Sequence, residues 1–231
     1  MEFDVVILAG GRSVRLGGVP KSRLMYDGAT LLQRSLAAAR GAKSIVVVGP
    51  DPGTLPAGIL SCREHPPFAG PASAIAAGLA ALADAPFTEA GTPRPAITLV
   101  LACDMPNVAA AVRVLAETLV ARPVNGGPGR DGVMAASEDG RRQPLVGFYS
   151  TAALQRAVHV AAARGALTDG SVFALLASLD LRVVTVPAGS TADVDTWDDA
   201  AALGVAGQET QPGSVTPKPQ LNWEAGHEEP G

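Results

Sequence analysis

Near the start of the chain, glycine and positive charge crowd into one stretch, VVILAGGRSVRLGGVPKSRL, which carries Gly10-Gly11, Arg12, Arg15, Gly17-Gly18 and Lys21. Glycine lets the backbone turn sharply and bring its N–H groups close to a ligand. Clustered N–H groups with fixed positive charge beside them can hold a polyphosphate. Two familiar phosphate loops do not fit. Pro20, not glycine, precedes Lys21, which excludes the Walker A pattern, and no register of these glycines supplies the G-x-G-x-x-G of a dinucleotide site. The alternative is a glycine-rich turn whose arginines are merely solvated.

Acidic chemistry enters farther along. Asp104 ends a wholly apolar run in LVLACDMP. A carboxylate there is either a helix-start cap or a hard oxygen ligand at the rim of a sheet. Pro106 and Asn107 would serve a helix start without it, so Asp104 is assigned to Mg²⁺, with water and phosphate oxygens completing the shell. Asp193 and Asp195, one residue apart in DVDT, point to the same side of an extended chain. Asp195 is the candidate second metal ligand, against plain service to the dipole of the next helix. No Ser/His/Asp or Cys/His arrangement offers a covalent nucleophile. His159, inside an alanine-rich stretch, reads as a surface or half-buried helix residue.

The elements that must position these groups alternate between apolar strand-like runs and Ala/Leu-rich helical stretches. Strands are predicted at Val5–Leu8, Ile45–Val48, Ile59–Arg63, Ile97–Ala102 and Arg182–Val186. Helices are predicted at Thr30–Arg40, with Gly41 as C-cap, and at Ala72–Ala83, Val108–Val120, Thr151–Ala163, Val172–Leu179 and Asp198–Leu203, the last capped by Thr196. Gly132–Ser137 and Gln143–Tyr149, joined by the turn Glu138-Asp139-Gly140, predict a small antiparallel insertion. Pro86–Pro95 and Pro123–Arg130 read as loops. Repeated β-α units make this an α/β protein with a mostly parallel sheet, covered by helices, whose ligands sit beyond the carboxyl ends of the strands. Both the glycine loop and Asp104 fall at such ends.

The composition agrees. At 231 residues, 47% hydrophobic but only 4% aromatic, the chain packs mainly through Ala, Val and Leu. Residues 1–205 form the predicted domain. Residues 206–231 are rich in Gly, Pro, Gln, Thr and Glu and cannot bury enough apolar surface to offset their ordering entropy, so they are predicted to be a disordered tail, with Trp223 its one apolar anchor. A net charge of −4 and the lack of a basic, aromatic-interleaved run argue against nucleic acid. Cys62 and Cys103 are too few for a disulfide framework or a Cys-rich metal site and read as small buried residues at strand ends. MEFDVV lacks the features of a signal peptide, and no apolar run is long enough to span a membrane, so a cytoplasmic protein is expected.

Taken together, LAGGRSVRLGG-VPK, then LACDMP, then DVDT before a terminal helix resembles the molybdenum cofactor guanylyltransferase family over roughly Val5 to Leu203. The resemblance implies a Rossmann-like sheet of the nucleotide-diphospho-sugar transferase type, with helices on both faces. It implies that Leu8-Ala9-Gly10-Gly11 cradles the nucleotide and that Arg15 and Lys21 reach its phosphates, with Arg12 a further candidate. It implies Mg²⁺ at Asp104, transfer of GMP from GTP to a molybdopterin-type phosphate, release of pyrophosphate, and contact with cofactor-synthesis or acceptor enzymes. It places the acceptor near Arg141-Arg142-Gln143. Members often carry an aspartate before the prolines of the base-facing segment; here His65 holds that place, with Glu64 beside it. A neutral imidazole has one acceptor where a carboxylate has two. GTP against CTP therefore stays open, as do another phospho-acceptor and a non-catalytic nucleotide sensor or cofactor chaperone.

Overall fold

The computed structural model describes residues 1–11, 13–50, 54–85, 94–122 and 129–207. Strand β1 (Asp4–Leu8) is buried along its whole length. It runs into two 3-10 turns, Val14–Leu16 and Lys21–Arg23, and then a hairpin of two short strands, β2 (Met25–Tyr26) and β3 (Ala29–Thr30). Helix α1 (Leu31–Ala38) starts on a reciprocal cap: the Thr30 hydroxyl accepts from the Gln33 N–H, and the Gln33 side chain accepts from the Thr30 N–H. Such a cap contributes about 1 kcal/mol. There follow β4 (Ile45–Val48), β5 (Ile59–Cys62), α2 (Pro71–Asp84), β6 (Ile97–Ala102), α3 (Val108–Ala121), β7 (Gly132–Ala136), β8 (Arg142–Ser150), α4 (Thr151–Ala163), α5 (Val172–Leu176), β9 (Leu181–Thr185) and α6 (Trp197–Leu203).

The main sheet has seven strands in the order β5-β4-β1-β6-β8-β7-β9. Neighbours run parallel except at β8, which is antiparallel to both β6 and β7. The antiparallel pair expected at 132–149 is thus built into the sheet, and β7 carries the sheet on to β9. The separate β2–β3 hairpin had no counterpart among the predicted elements.

Alternation along β1 explains why both faces of the sheet are covered. Val5 and Ile7 join the core beneath α1 and α3, whereas Val6 and Leu8 join the core beneath α2, α4 and α5. A third, smaller core holds Leu16, Leu24, Leu31, Val194, Ala200 and Val205. It ties the 3-10 turns after β1 to the chain around α6, although these segments are far apart in sequence.

Arg12, most of the two predicted loops (residues 86–93 and 123–128) and residues 208–231, including Trp223, lie outside the described residues. Ala206, which the sequence places in the tail, exchanges two backbone hydrogen bonds with Met25, at 2.7 and 2.8 Å. His159 is exposed, Cys62 is half-buried and Cys103 is buried. No helix among the described residues is long and apolar enough to cross a membrane.

Candidate active site

Four parallel strands end level with one another: Leu8 lies beside Val48 and Ala102, and Val48 beside Cys62. From β1 the chain winds outward through β4 to β5, then returns through α2 to place β6 on the other side of β1. The chain therefore leaves β1 toward one edge of the sheet and β6 toward the other, although α1 and α3 cover the same face, and a crevice lies beyond the strand ends between the two departures. Gly10-Gly11 follows β1 and Asp104 follows β6, so both candidate elements border this crevice.

A cavity of about 590 Å³ occupies it, lined by Leu8, Gly10, Gly11, Lys21, Glu64 and Asp104 together with Phe68, Pro71, Leu145 and Asp169. Gly11 has φ 133°, a conformation that favours glycine. Ala9 is held by its N–H on the Val48 carbonyl, at 2.8 Å. A second hollow of about 610 Å³ adjoins the first, sharing Ala102, Asp104 and Leu145, and is bordered by Arg141, Arg142, Gln143 and Asp193.

The acidic groups converge. Cys103 donates its N–H to the Leu8 carbonyl, extending the β1–β6 ladder by one bond, and the Val194 N–H donates to the Asp104 carbonyl at 3.1 Å. One carboxylate oxygen each from Asp104, Asp193 and Asp195 lies within 4.8 Å of the others. Asp104 does not cap α3: its Oδ2 accepts from Lys21 Nζ at 2.9 Å, and its Oδ1 is buried with no hydrogen-bond partner among the described residues. Nor do Asp193 and Asp195 cap α6, since the Asp199 carboxylate and the Thr196 hydroxyl do that. None of the three acids is thus committed to a helix cap. Burial, then the charges of Asp104 and Asp195, hold the Asp193 carboxyl above its ordinary range. Three carboxylates, one of them with an orphaned oxygen, fit a divalent cation that keeps several other oxygen ligands.

Lys21 lines the cavity with its ammonium turned onto the acids. Its ammonium also donates to Asp195 Oδ1 at 2.5 Å, bridging two of the three acids. Burial pulls its pKa down, but the charge of Asp104 and the bonds to both carboxylates more than offset this, and the net shift is upward.

The remaining predicted positions divide. Glu64 is buried; its Oε1 accepts from the Phe68 N–H at 2.8 Å, and its Oε2 has no partner among the described residues. His65 is exposed and does not line the cavity. Arg15 sits exposed on the Val14–Leu16 turn, also off the cavity wall. Phe68 and Asp169 escaped the sequence reading. Both have positive φ, 63° and 55°, and the Asp169 N–H binds the Ala69 carbonyl at 2.8 Å, closing the far wall. Cys103 lies behind Asp104, but burial and then the Asp104 charge push its thiol far up, which leaves it without nucleophilic character.

A seven-stranded, mostly parallel sheet with its cavity at this switch point defines a Rossmann-like fold of the nucleotide-diphospho-sugar transferase type. Residues 5–182 match the MobA-like NTP transferase domain. The chain belongs to that family and is a nucleotidyltransferase. Among solved structures, it is similar to molybdopterin-guanine dinucleotide biosynthesis protein A of Archaeoglobus fulgidus (18% identity, TM-score 0.59, covering 87% of this chain and 96% of that one). It is also similar to Rv0371c of Mycobacterium tuberculosis (25%, 0.62, 87% and 96%), a protein also solved in complex with manganese. A third is the 2-C-methyl-D-erythritol 4-phosphate cytidylyltransferase of Thermus thermophilus (23%, 0.56, 88% and 97%). No curated protein sequence matches the chain.

Proposed function

We propose that the catalytic unit, residues 1–205, transfers GMP from GTP to the terminal phosphate of a molybdopterin-type acceptor and releases pyrophosphate. The observation that carries this reading is the continuity of two hollows at Asp104. One is lined by a glycine loop, a lysine, Asp104 and the buried Glu64 carboxylate beside Gly10; the second is edged by Arg141, Arg142 and Gln143.

The triphosphate lies against the backbone N–H groups of Ala9–Gly11, with Lys21 as the nearest cation and Arg12 and Arg15 as further ones. Leu8 closes the floor. Guanine presents N1–H and N2–H₂, both donors, to Glu64 Oε2, whose sister oxygen is already taken; His65 then serves at most the outer rim. Arg141 and Arg142 hold the acceptor phosphate. That phosphate is already anionic and attacks the α-phosphorus in line, so no strong base is needed. The α–β bridging bond breaks, and pyrophosphate leaves with the bonding pair. The protein contributes position and fixed charge. Asp104 and Asp195, with Asp193 beside them, would hold Mg²⁺, which neutralises and orients the triphosphate when bound.

The test is pyrophosphate release from each of the four nucleoside triphosphates with Mg²⁺, with and without molybdopterin. Release that requires both GTP and molybdopterin is expected. Release from CTP would move the assignment to cytidylyl transfer, and release only with a different phospho-acceptor would move the acceptor. No release under any condition would leave a nucleotide sensor or cofactor chaperone.

A further inference from the structure

Lys21 stands where a divalent cation would. Its ammonium is 2.9 Å from Asp104 Oδ2 and 2.5 Å from Asp195 Oδ1, and both carboxylates belong to the three-acid cluster. A magnesium ion takes its oxygen ligands at about 2.0–2.1 Å. An ion drawing on the same two oxygens would share the ammonium's volume, and two cations cannot sit there together.

The Lys21–Asp104 pair is part-buried, while Asp195, at 51% exposed, closes its outer side. The Lys21 and Asp104 side chains are 19% and 20% exposed, and the lysine is carried on a 3-10 turn whose Ser22 and Leu24 are buried. Leu24 in turn packs with Val194, the residue between the two acids of DVDT. The turn and the acid strand therefore share one core, which fixes the ammonium over the carboxylates. Among the described residues, one bonded ammonium meets three carboxylates, with Asp104 Oδ1 left orphaned, and holds the cluster together without neutralising it.

We infer that Lys21 is the resident counter-ion of the acid cluster and competes with the divalent cation for it, so that metal enters only as Lys21 swings away. Resting on the nucleotide reading above, the triphosphate supplies the place to which it swings, since Lys21 also lines the nucleotide cavity. Metal and nucleotide then favour one another's binding through a single side chain, and the coupling is reciprocal. Lys21 acts in this as a positioning residue, apart from any contact with phosphate during transfer. A metal-free protein keeps its acids compensated and does not scavenge divalent ions between turnovers.

The test uses Mn²⁺ alone, with no nucleotide, so it is indifferent to which nucleotide or acceptor is the substrate. Mn²⁺ binding to the full chain is followed by the loss of its free-ion electron paramagnetic resonance signal. Lys21→Met should bind Mn²⁺ at least about tenfold more tightly than the parent, and Mn²⁺ should raise its melting temperature more. Lys21→Arg keeps the charge and should resemble the parent. Equal Mn²⁺ affinity of the parent and Lys21→Met overturns the proposal, as does undetectable binding by both. If the Mn²⁺ result holds while no nucleotide supports pyrophosphate release, the functional reading fails alone.

Discussion

The backbone N–H of Val194 donates to the carbonyl of Asp104 across 3.1 Å, joining residues ninety positions apart in the chain. Asp104 is itself fixed by the neighbouring bond from Cys103 to Leu8, at 3.0 Å. The acid cluster therefore inherits its geometry from the sheet, through two consecutive main-chain bonds. Side-chain changes in the cluster should disturb chemistry more than folding.

Asp104→Asn tests that separation. The amide keeps the shape but loses the charge that faces Lys21 and the proposed metal. Turnover should fall by roughly 10²–10³, the range seen when one electrostatic contributor is removed from an active site, while circular dichroism at room temperature stays unchanged. Activity within a few-fold of the parent would remove Asp104 from the centre.

Glu64→Gln probes the cavity wall beside Gly10. The amide oxygen can still accept from the Phe68 N–H, so the wall is preserved. At the other position an amide donor now meets the donor edge of guanine. A loss of about 1–3 kcal/mol, roughly 5-fold to 10²-fold in kcat/KM for GTP, is expected from one mismatched buried hydrogen bond. Unaltered GTP kinetics would take the base away from Glu64.

Gly49→Ala tests the close approach beneath the glycine loop. A Cβ at Gly49 would stand 2.8 Å from the Ala9 carbonyl carbon and the Gly10 nitrogen, both main-chain atoms. Neither can rotate aside. Overpacking of this kind costs about 1–3 kcal/mol, and relief requires Gly10 to move. Urea denaturation should show the loss, and KM for the nucleotide should rise with it.

Asp4, at the opposite end of β1, predicts a pH dependence. Burial raises its carboxyl pKa above the ordinary value, and the Arg94 charge and hydrogen bonds from Ser44 only partly offset this. The folded state then binds the proton more readily than the unfolded state. Stability therefore declines as pH rises through the window from the ordinary carboxylate value to the raised one, and the penalty is absent below it. Asp4→Asn should melt higher than the parent at about pH 7, with the difference closing as the pH falls toward about 4, the unperturbed value. A difference that stays constant with pH would contradict this assignment.

Much of the scaffold was legible because it is written in local pattern. The run Ile97–Ala102 is apolar at every position but Thr98, and Thr196 followed by Asp199 is a cap in plain view. Asp104 and the DVDT acids were visible for a similar reason, as carboxylates set beside elements that need none. The β2–β3 hairpin escaped although Asp27-Gly28 is a turn signal, because two-residue strands have no periodicity to announce them. The bridge from Lys21 to Asp104 and Asp195 spans 83 and 174 residues and follows from the small core of Leu16, Leu24 and Val194, which no local spacing reveals. Phe68 and Asp169 were hidden because their contribution lies in backbone conformation, and neither residue type marks it.

The two main-chain bonds between Met25 and Ala206 carry a practical corollary. They bring the last described residues back to the hairpin that follows Lys21, whereas Met1 leaves from the opposite end of the strands. An affinity tag joined directly after Gly207 would be tethered beside the hairpin that follows Lys21, and one at the amino terminus at the opposite end of the strands. For kinetic work the amino-terminal fusion is the safer attachment.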